Sequence, residues 1–68
     1  MKLVELYIFD TYAGLHTLDT AKRLIWRDRG FCYFDKKISE ERFQQEQDID
    51  TLNSWMKHGK IIPINLEA

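Results

Sequence analysis

Apolar and polar residues follow one another along this chain in blocks that predict strands and helices in turn. Residues 3–9 are almost continuously apolar and rich in strand-forming side chains, which predicts a central strand with both faces covered. Residues 10–16 contain a glycine and are predicted as a loop. A helix is predicted over residues 18–29, because Thr17 can cap its start, Gly30 can follow its end, and its apolar residues recur at helical spacing.

The middle of the chain has a weaker pattern. Residues 31–34 are largely aromatic and are bounded by charged residues, which predicts a short strand. Residues 38–48 are rich in Glu, Arg and Gln, and Ser39 resembles a helix cap, so this segment favours a short, exposed helix. The alternative is a hairpin from Phe31 to Phe43, of which this segment supplies the polar second arm.

The last third of the chain predicts a helix and a closing strand. Asp48 or Asp50 is expected to cap the helix, which ends at Gly59, and residues 60–66 form the strand. Pro63 lacks an amide hydrogen, so that strand is expected either at a sheet edge or with position 63 pointing outward.

The order β-α-β-(α or β)-α-β predicts the α+β class, with residues 1–68 forming a single domain. The expected architecture is a single-layer sheet of three or four strands with two or three helices packed on one face. If the first two strands are neighbours joined through the helix, their crossover is expected to be parallel and right-handed.

Composition narrows the class of protein further. The 68 residues are 44% hydrophobic and 13% aromatic, which is typical of a folded globular domain, and the net charge is −1. No apolar run approaches the roughly 18 residues that a membrane-spanning helix needs, so no membrane partner is predicted. The single cysteine, Cys32, excludes an intramolecular disulfide, and the first residues lack a signal-peptide pattern, so the cytoplasm is the predicted location.

Trp26 is the residue that fits the helical pattern least. It lies on the side of the first helix opposite the apolar stripe, between the cations Lys22, Arg23 and Arg27. One interpretation is that another segment of the chain folds over it and covers it. The other is that Trp26 is an exposed anchor for a partner, because Trp and Arg are enriched at the energetic centres of protein interfaces.

The leading hypothesis is a non-catalytic protein-interaction or regulatory module that binds another protein or a second copy of itself. Its predicted contact residues are Trp26, Arg23, Arg27 and Tyr12. The chain has more aromatic side chains than one small core needs, so a sheet edge or an uncovered sheet face is the predicted site for a homodimer. The acidic stretch from Asp35 to Asp50 is either a secondary docking surface or a solvated face. Size and class alone suggest a phage or mobile-element accessory or inhibitor protein.

Two other function classes are retained as alternatives. A nucleic-acid-binding domain would use Lys22, Arg23, Arg27 and Arg29 against phosphates, although the net charge is slightly negative and nearby aspartates dilute the basic patch. A small hydrolase or nuclease would use His16 or His58. These histidines and Cys32 lack the spacing of metal ligands, and there is no glycine-rich phosphate loop. The sequence therefore predicts no catalytic residue, no metal site and no cofactor.

Overall fold

The computed structural model describes residues 3–29, 33–35 and 37–64. Three strands form one antiparallel sheet in the order β2-β1-β3, which makes β1 the central strand, and three helices are present in the described residues. The α+β class and the central position of the first strand are confirmed. The elements are β1 (Leu3–Ile8), β2 (Thr11–Thr17), α1 (Leu18–Arg29), α2 (Glu40–Gln45), α3 (Ile49–Trp55) and β3 (Gly59–Ile64).

The first two strands form a hairpin, which corrects the prediction of a loop over residues 10–16. Phe9 and Asp10 connect the strands with φ angles of 52° and 64°. Two consecutive residues with positive φ are the geometry of a type I′ turn, whose twist matches that of a hairpin. The parallel crossover predicted between the first strand and residues 31–34 is not formed in the described residues, because Phe34 makes only an isolated bridge with Met56 and lies outside the sheet of β1, β2 and β3.

A bulge interrupts the hairpin in β2. Ala13 and Gly14 together oppose one residue of β1, since the paired positions step from Glu5 and Leu15 to Tyr7 and Tyr12. Gly14 has a φ of 105°, a conformation that side chains with a Cβ rarely adopt. The extra residue breaks the alternation of side chains along β2, and this is why the segment lacks a clear strand pattern.

The helices agree closely with the prediction. In α1, the Thr17 hydroxyl accepts a hydrogen bond from the amide of Thr20 at 3.3 Å, as expected of a cap. Helix α2 confirms the helical interpretation of residues 38–48, and Ser39 caps it by accepting from the amide of Arg42 at 3.1 Å. The predicted follower of α1, Gly30, lies outside the described residues.

Helix α3 starts after Asp48 as predicted, but it ends at Trp55, earlier than expected. The chain turns there because Met56 pairs with Phe34 in an isolated antiparallel bridge. That bridge stands in place of the strand predicted over residues 31–34, of which residues 31 and 32 lie outside the described part of the chain.

All three helices pack on one face of the sheet, as predicted. The buried side chains of this core are Val4 and Leu6 of β1, Ala21 and Ile25 of α1, Phe43 of α2, Leu52 of α3 and Ile61 of β3, with Tyr33, Phe34, Ile38 and Met56 from the connections. The alternate residues of β1 are only half-buried, so the prediction that both faces of this strand are covered is wrong.

The closing strand β3 lies at a sheet edge, as Pro63 predicts. Its outer edge is occupied by Asn53 of α3, whose amide donates to the carbonyl of Ile61 at 2.8 Å and accepts from the amide of Ile61 at 2.9 Å. A side chain thus makes the two hydrogen bonds that a further strand would make at this position. The predicted end of the strand at residue 66 lies outside the described residues.

Candidate functional site

A groove of about 550 Å³ lies between α1 and α2. It is called the helix groove below. Its lining residues are Asp19, Arg23, Trp26 and Arg27 from α1, with Glu40 and Gln44 from α2.

Trp26 has one side in the core and another in the helix groove. Its ring centroid lies 5.6 Å from that of Phe34 and 5.9 Å from that of Phe43, and the side chain is half-buried. Phe43 belongs to α2, so another segment of the chain does fold over Trp26, as the first of the two interpretations predicts. The cover is incomplete, because Trp26 also lines the groove. Trp26 therefore combines a packing role with a surface that a partner can reach.

Arg23 and Arg27 flank Trp26 on the exposed side of α1. Both side chains are exposed, and neither makes a hydrogen bond or an ion pair within the described part of the chain. They are one helical turn apart, so they project on the same side of the helix. Asp19 lies four residues before Arg23 on α1, a spacing that allows an ion pair, but no such pair forms between these two described residues. Two guanidinium groups are thus available to a ligand beside an aromatic ring.

Lys22 does not belong to this exposed cationic surface. The residue is fully buried, and its amine donates to the carbonyls of Gln44 and Glu46, each at 2.7 Å. Burial lowers the pKa of Lys22, although the carboxylates of Asp19 and Glu46 oppose that shift. The amine holds the end of α2 against α1, since cations bind favourably to the carbonyls at a helix C-terminus.

The sequence contains a signal for this burial. Lys22 follows Leu18 by four residues and precedes Ile25 by three, so it borders the apolar stripe of α1, which corrects its predicted place in the exposed cationic surface. Of the residues proposed for nucleic-acid binding, Arg23 and Arg27 remain exposed, and the side chain of Arg29 lies outside the described part of the structure.

Tyr12 lies apart from the other predicted contact residues. It belongs to β2, is 53% exposed, and its ring centroid is 5.3 Å from that of Tyr7 on β1. Both rings lie on the sheet face opposite the helices, because paired positions of adjacent strands share a face. The predicted contact set therefore divides between the helix groove and this second face.

The two histidines occupy different local environments. The Nε2 atom of His16 lies 2.8 Å from the carbonyl oxygen of Ala13 within the bulge of β2. His58 stacks on Phe9, with ring centroids 4.7 Å apart, and contacts Tyr33 edge-on. Neither imidazole hydrogen-bonds a carboxylate within the described residues, so neither has the orienting partner of a general base. Cys32 lies outside the described residues.

The acidic stretch remains exposed at most of its carboxylates, including Glu41, Asp48 and Asp50. Within the described part of the chain, no group of three or more His, Cys, Asp or Glu side chains is placed to hold a metal ion. None of the described helices has the length and apolar character that crossing a bilayer requires.

Comparison with protein-family models, with curated proteins and with solved structures found no match to this chain. The functional conclusion therefore depends on the geometry of the surfaces described above.

Proposed function

We propose that this chain is a non-catalytic protein-interaction module that binds a segment of another protein in the helix groove. The observation that carries the proposal is the position of Trp26 in that groove between two exposed arginines that have no partner in the described part of the chain. Trp and Arg are the residues that most often dominate the binding energy of protein interfaces.

The chemistry of the groove indicates the kind of segment that fits. The accessible side of Trp26 offers apolar contact area, and its inner side is already held by Phe34 and Phe43, so little side-chain freedom is lost on binding. Guanidinium groups bind carboxylates through two parallel hydrogen bonds. A segment that carries an apolar side chain next to one or two carboxylates matches Trp26, Arg23 and Arg27.

The same geometry does not favour nucleic acid as the ligand. Burial removes Lys22 from the proposed basic patch, and the carboxylates of Asp19 and Glu40 line the groove beside the two arginines. A phosphate backbone in the groove would meet both negative charges, whereas nucleic-acid interfaces are strongly positive. The test for this alternative is a gel shift at low ionic strength, and binding that falls steeply with added salt would support it.

A cytoplasmic location is favoured by the single cysteine, since small secreted domains are usually held by disulfides. A regulatory or inhibitory role, as in accessory proteins of phages and mobile elements, is suggested only by the size and class of the domain.

The experiment is a selection of displayed random peptides on the immobilised protein, followed by calorimetric measurement of dissociation constants. Selected peptides should be enriched in Asp or Glu beside an apolar residue. Arg23→Glu/Arg27→Glu should weaken binding about tenfold or more, because both carboxylate partners are lost and like charges are introduced.

The matched control is Lys37→Glu/Lys57→Glu, which makes the same change in net charge at two exposed positions outside the groove. It should leave the dissociation constant within about threefold, since distant exposed charges are screened by salt. Equal loss in both double variants, or peptides without acidic residues, would contradict the proposal.

A further inference from the structure

The face of the sheet opposite the helices presents a regular array of nine side chains, called the open face below. Pairing of the strands sets them in three rows: Ile64, Leu3 and Thr17; Ile62, Glu5 and Leu15; Lys60, Tyr7 and Tyr12. None of the nine is buried, and six of them are apolar or aromatic. This face is independent of the helix groove, because the helices pack on the other side of the sheet.

Glu5 occupies the centre of the open face. Leu15 and Ile62 lie beside it on the neighbouring strands, and Leu3 and Tyr7 precede and follow it on the same side of β1. The Tyr7 hydroxyl donates to the Glu5 carboxylate at 3.2 Å, and no ion pair to Glu5 forms within the described residues. Burial raises the pKa of Tyr7, and the hydrogen bond to Glu5 raises it further. A carboxylate therefore lies in the middle of an otherwise largely apolar surface.

Any surface that docks on the open face removes this carboxylate from water. A buried charge without a partner is strongly destabilising, whereas a buried charge opposite a cation is compensated. Because Glu5 lies at the centre of the open face, a partner must supply a positive charge at the centre of its own contact surface.

A second copy centred on the same array does not supply a cation opposite Glu5, because Lys60, the one cation among the nine residues, lies at a corner of the array. In a symmetric face-to-face dimer the same patch meets itself, so the central Glu5 of one copy approaches that of the other. The array is small for any occupant: three strands about 4.8 Å apart, with six residues at about 3.3 Å each, cover roughly 300 Å² in projection. Stable interfaces bury about 800 Å² on each partner.

Pairing of copies through the β3 edge is opposed by Asn53, which occupies the hydrogen-bonding groups of Ile61 there.

We propose that the open face binds an apolar surface of a partner protein that presents an arginine or lysine opposite Glu5. The small area makes this a weak or transient contact by itself. The cation provides specificity, since surfaces with a carboxylate or only apolar side chains at that position leave a buried charge unpaired.

A variant of the chain itself provides a probe with this chemistry. Glu5→Lys has the same apolar array with a lysine at its centre, so it should associate with the wild-type protein. Sedimentation velocity of an equimolar mixture should show a heterodimer at protein concentrations up to about 1 mM, while each protein alone sediments as a monomer. Glu5→Leu, which removes the repulsion between copies, should self-associate.

Two controls assign the contact to its surface. Adding Leu15→Asp to either partner should abolish the heterodimer, because Leu15 is exposed on the open face. Adding Arg23→Glu/Arg27→Glu should leave it unchanged, which separates this contact from the helix groove. Circular dichroism is used to confirm that each variant is folded.

Three results would overturn the inference. One is a mixture of wild type and Glu5→Lys, both folded, that stays monomeric over the whole concentration range. The second is a Glu5→Leu protein that is folded and remains a monomer. The third is a wild-type dimer that Leu15→Asp dissociates, which would identify the occupant as a second copy of the chain.

Discussion

Replacing Trp26 with alanine is expected to destabilise the domain as well as to remove a contact for a partner. The ring packs against Phe34 and Phe43, at centroid distances of 5.6 and 5.9 Å. Because these three rings join α1, α2 and the connection between them, the substitution opens a gap at the meeting point of three segments. The effect on unfolding must therefore be measured before any effect on binding is interpreted.

The expected loss follows from the burial of the side chain. A fully buried Trp changed to Ala costs about 3–5 kcal/mol, and Trp26 is half-buried, so roughly 2 kcal/mol comes from lost burial and the gap. Loss of the aromatic pairs adds about 0.5–1 kcal/mol, which gives a total of about 2–3 kcal/mol. A domain of 68 residues has about 3–10 kcal/mol of stability in all. The corresponding fall in Tm is about 10–20 °C.

Thermal unfolding followed by far-ultraviolet circular dichroism measures this change without using tryptophan fluorescence. Trp26→Phe is the matched control, since it keeps an aromatic ring against both neighbours and should lower the free energy of unfolding by about 1 kcal/mol or less. A Tm for Trp26→Ala within about 2 °C of the wild type would refute the packing described here. In that case Trp26 would be a surface residue, and alanine substitution alone would report on binding.

Three further predictions concern the fold that supports both surfaces. Asn53→Ala should lower the free energy of unfolding by about 2–3 kcal/mol in urea titrations, because the amide and the carbonyl of Ile61 both lose their partner. The control Ser54→Ala should change the free energy of unfolding by less than about 0.5 kcal/mol. Gly14→Ala should lower the free energy of unfolding by about 1–2 kcal/mol in the same titrations, because the φ of Gly14 is 105° and the added Cβ would lie 3.0 Å from the imidazole of His16. An unchanged urea midpoint would argue against the bulge. Lys22→Met should cost about 1–3 kcal/mol at neutral pH, because two carbonyls at the end of α2 lose a charged donor. The pKa of Lys22 is lower in the folded chain than in the unfolded chain, so the unfolded chain binds the proton more tightly. The free energy of unfolding of the wild type should therefore rise, relative to that of Lys22→Met, as the pH increases toward 10.5. A difference between the two proteins that does not change with pH would contradict the lowered pKa.

Elements whose signals are local could be predicted from the sequence. Helix α1 has the predicted bounds because Thr17 caps it and its apolar stripe has helical spacing. Helix α2 was indicated by Ser39 and by the helix-forming residues after it. These signals lie within one or two turns of the element that they define, so no knowledge of the tertiary structure is needed.

Strand β2 could not be recognised in this way. Its turn uses Phe9 and Asp10 in a conformation that usually requires Asn or Gly, so the common hairpin signal is missing. The bulge at Ala13 and Gly14 then disrupts the alternation of side chains. The strand also lies at an edge and is largely exposed, so it lacks the apolar pattern of a buried strand.

The sequence predicts the candidate site only in part, because some of its contacts join residues that are distant along the chain. The position of Trp26 outside the apolar stripe was visible on a helical projection, but its cover depends on Phe43 and Phe34, which are distant in sequence. The sequence groups Tyr12 with Trp26 because it carries no recognisable pattern for the strand of Tyr12, whereas the structure places Tyr12 on the open face. The spacing of Lys22 next to the apolar stripe is a local signal for its burial, but its two carbonyl partners at the end of α2 are distant in sequence and cannot be predicted from that spacing.

The most direct test of the helix groove as a binding site is a nuclear magnetic resonance titration with a selected acidic peptide. The chain contains two tryptophans, and only Trp26 lines the groove, whereas Trp55 lies on α3 with the Arg42 guanidinium 5.5 Å from its ring centroid. We predict that the indole NH signal of Trp26 and the side-chain signals of Arg23 and Arg27 shift with the peptide, while the indole signal of Trp55 does not. Shifts confined to Trp55 or to the strands, with the Trp26 indole signal unchanged at saturation, would contradict the proposal.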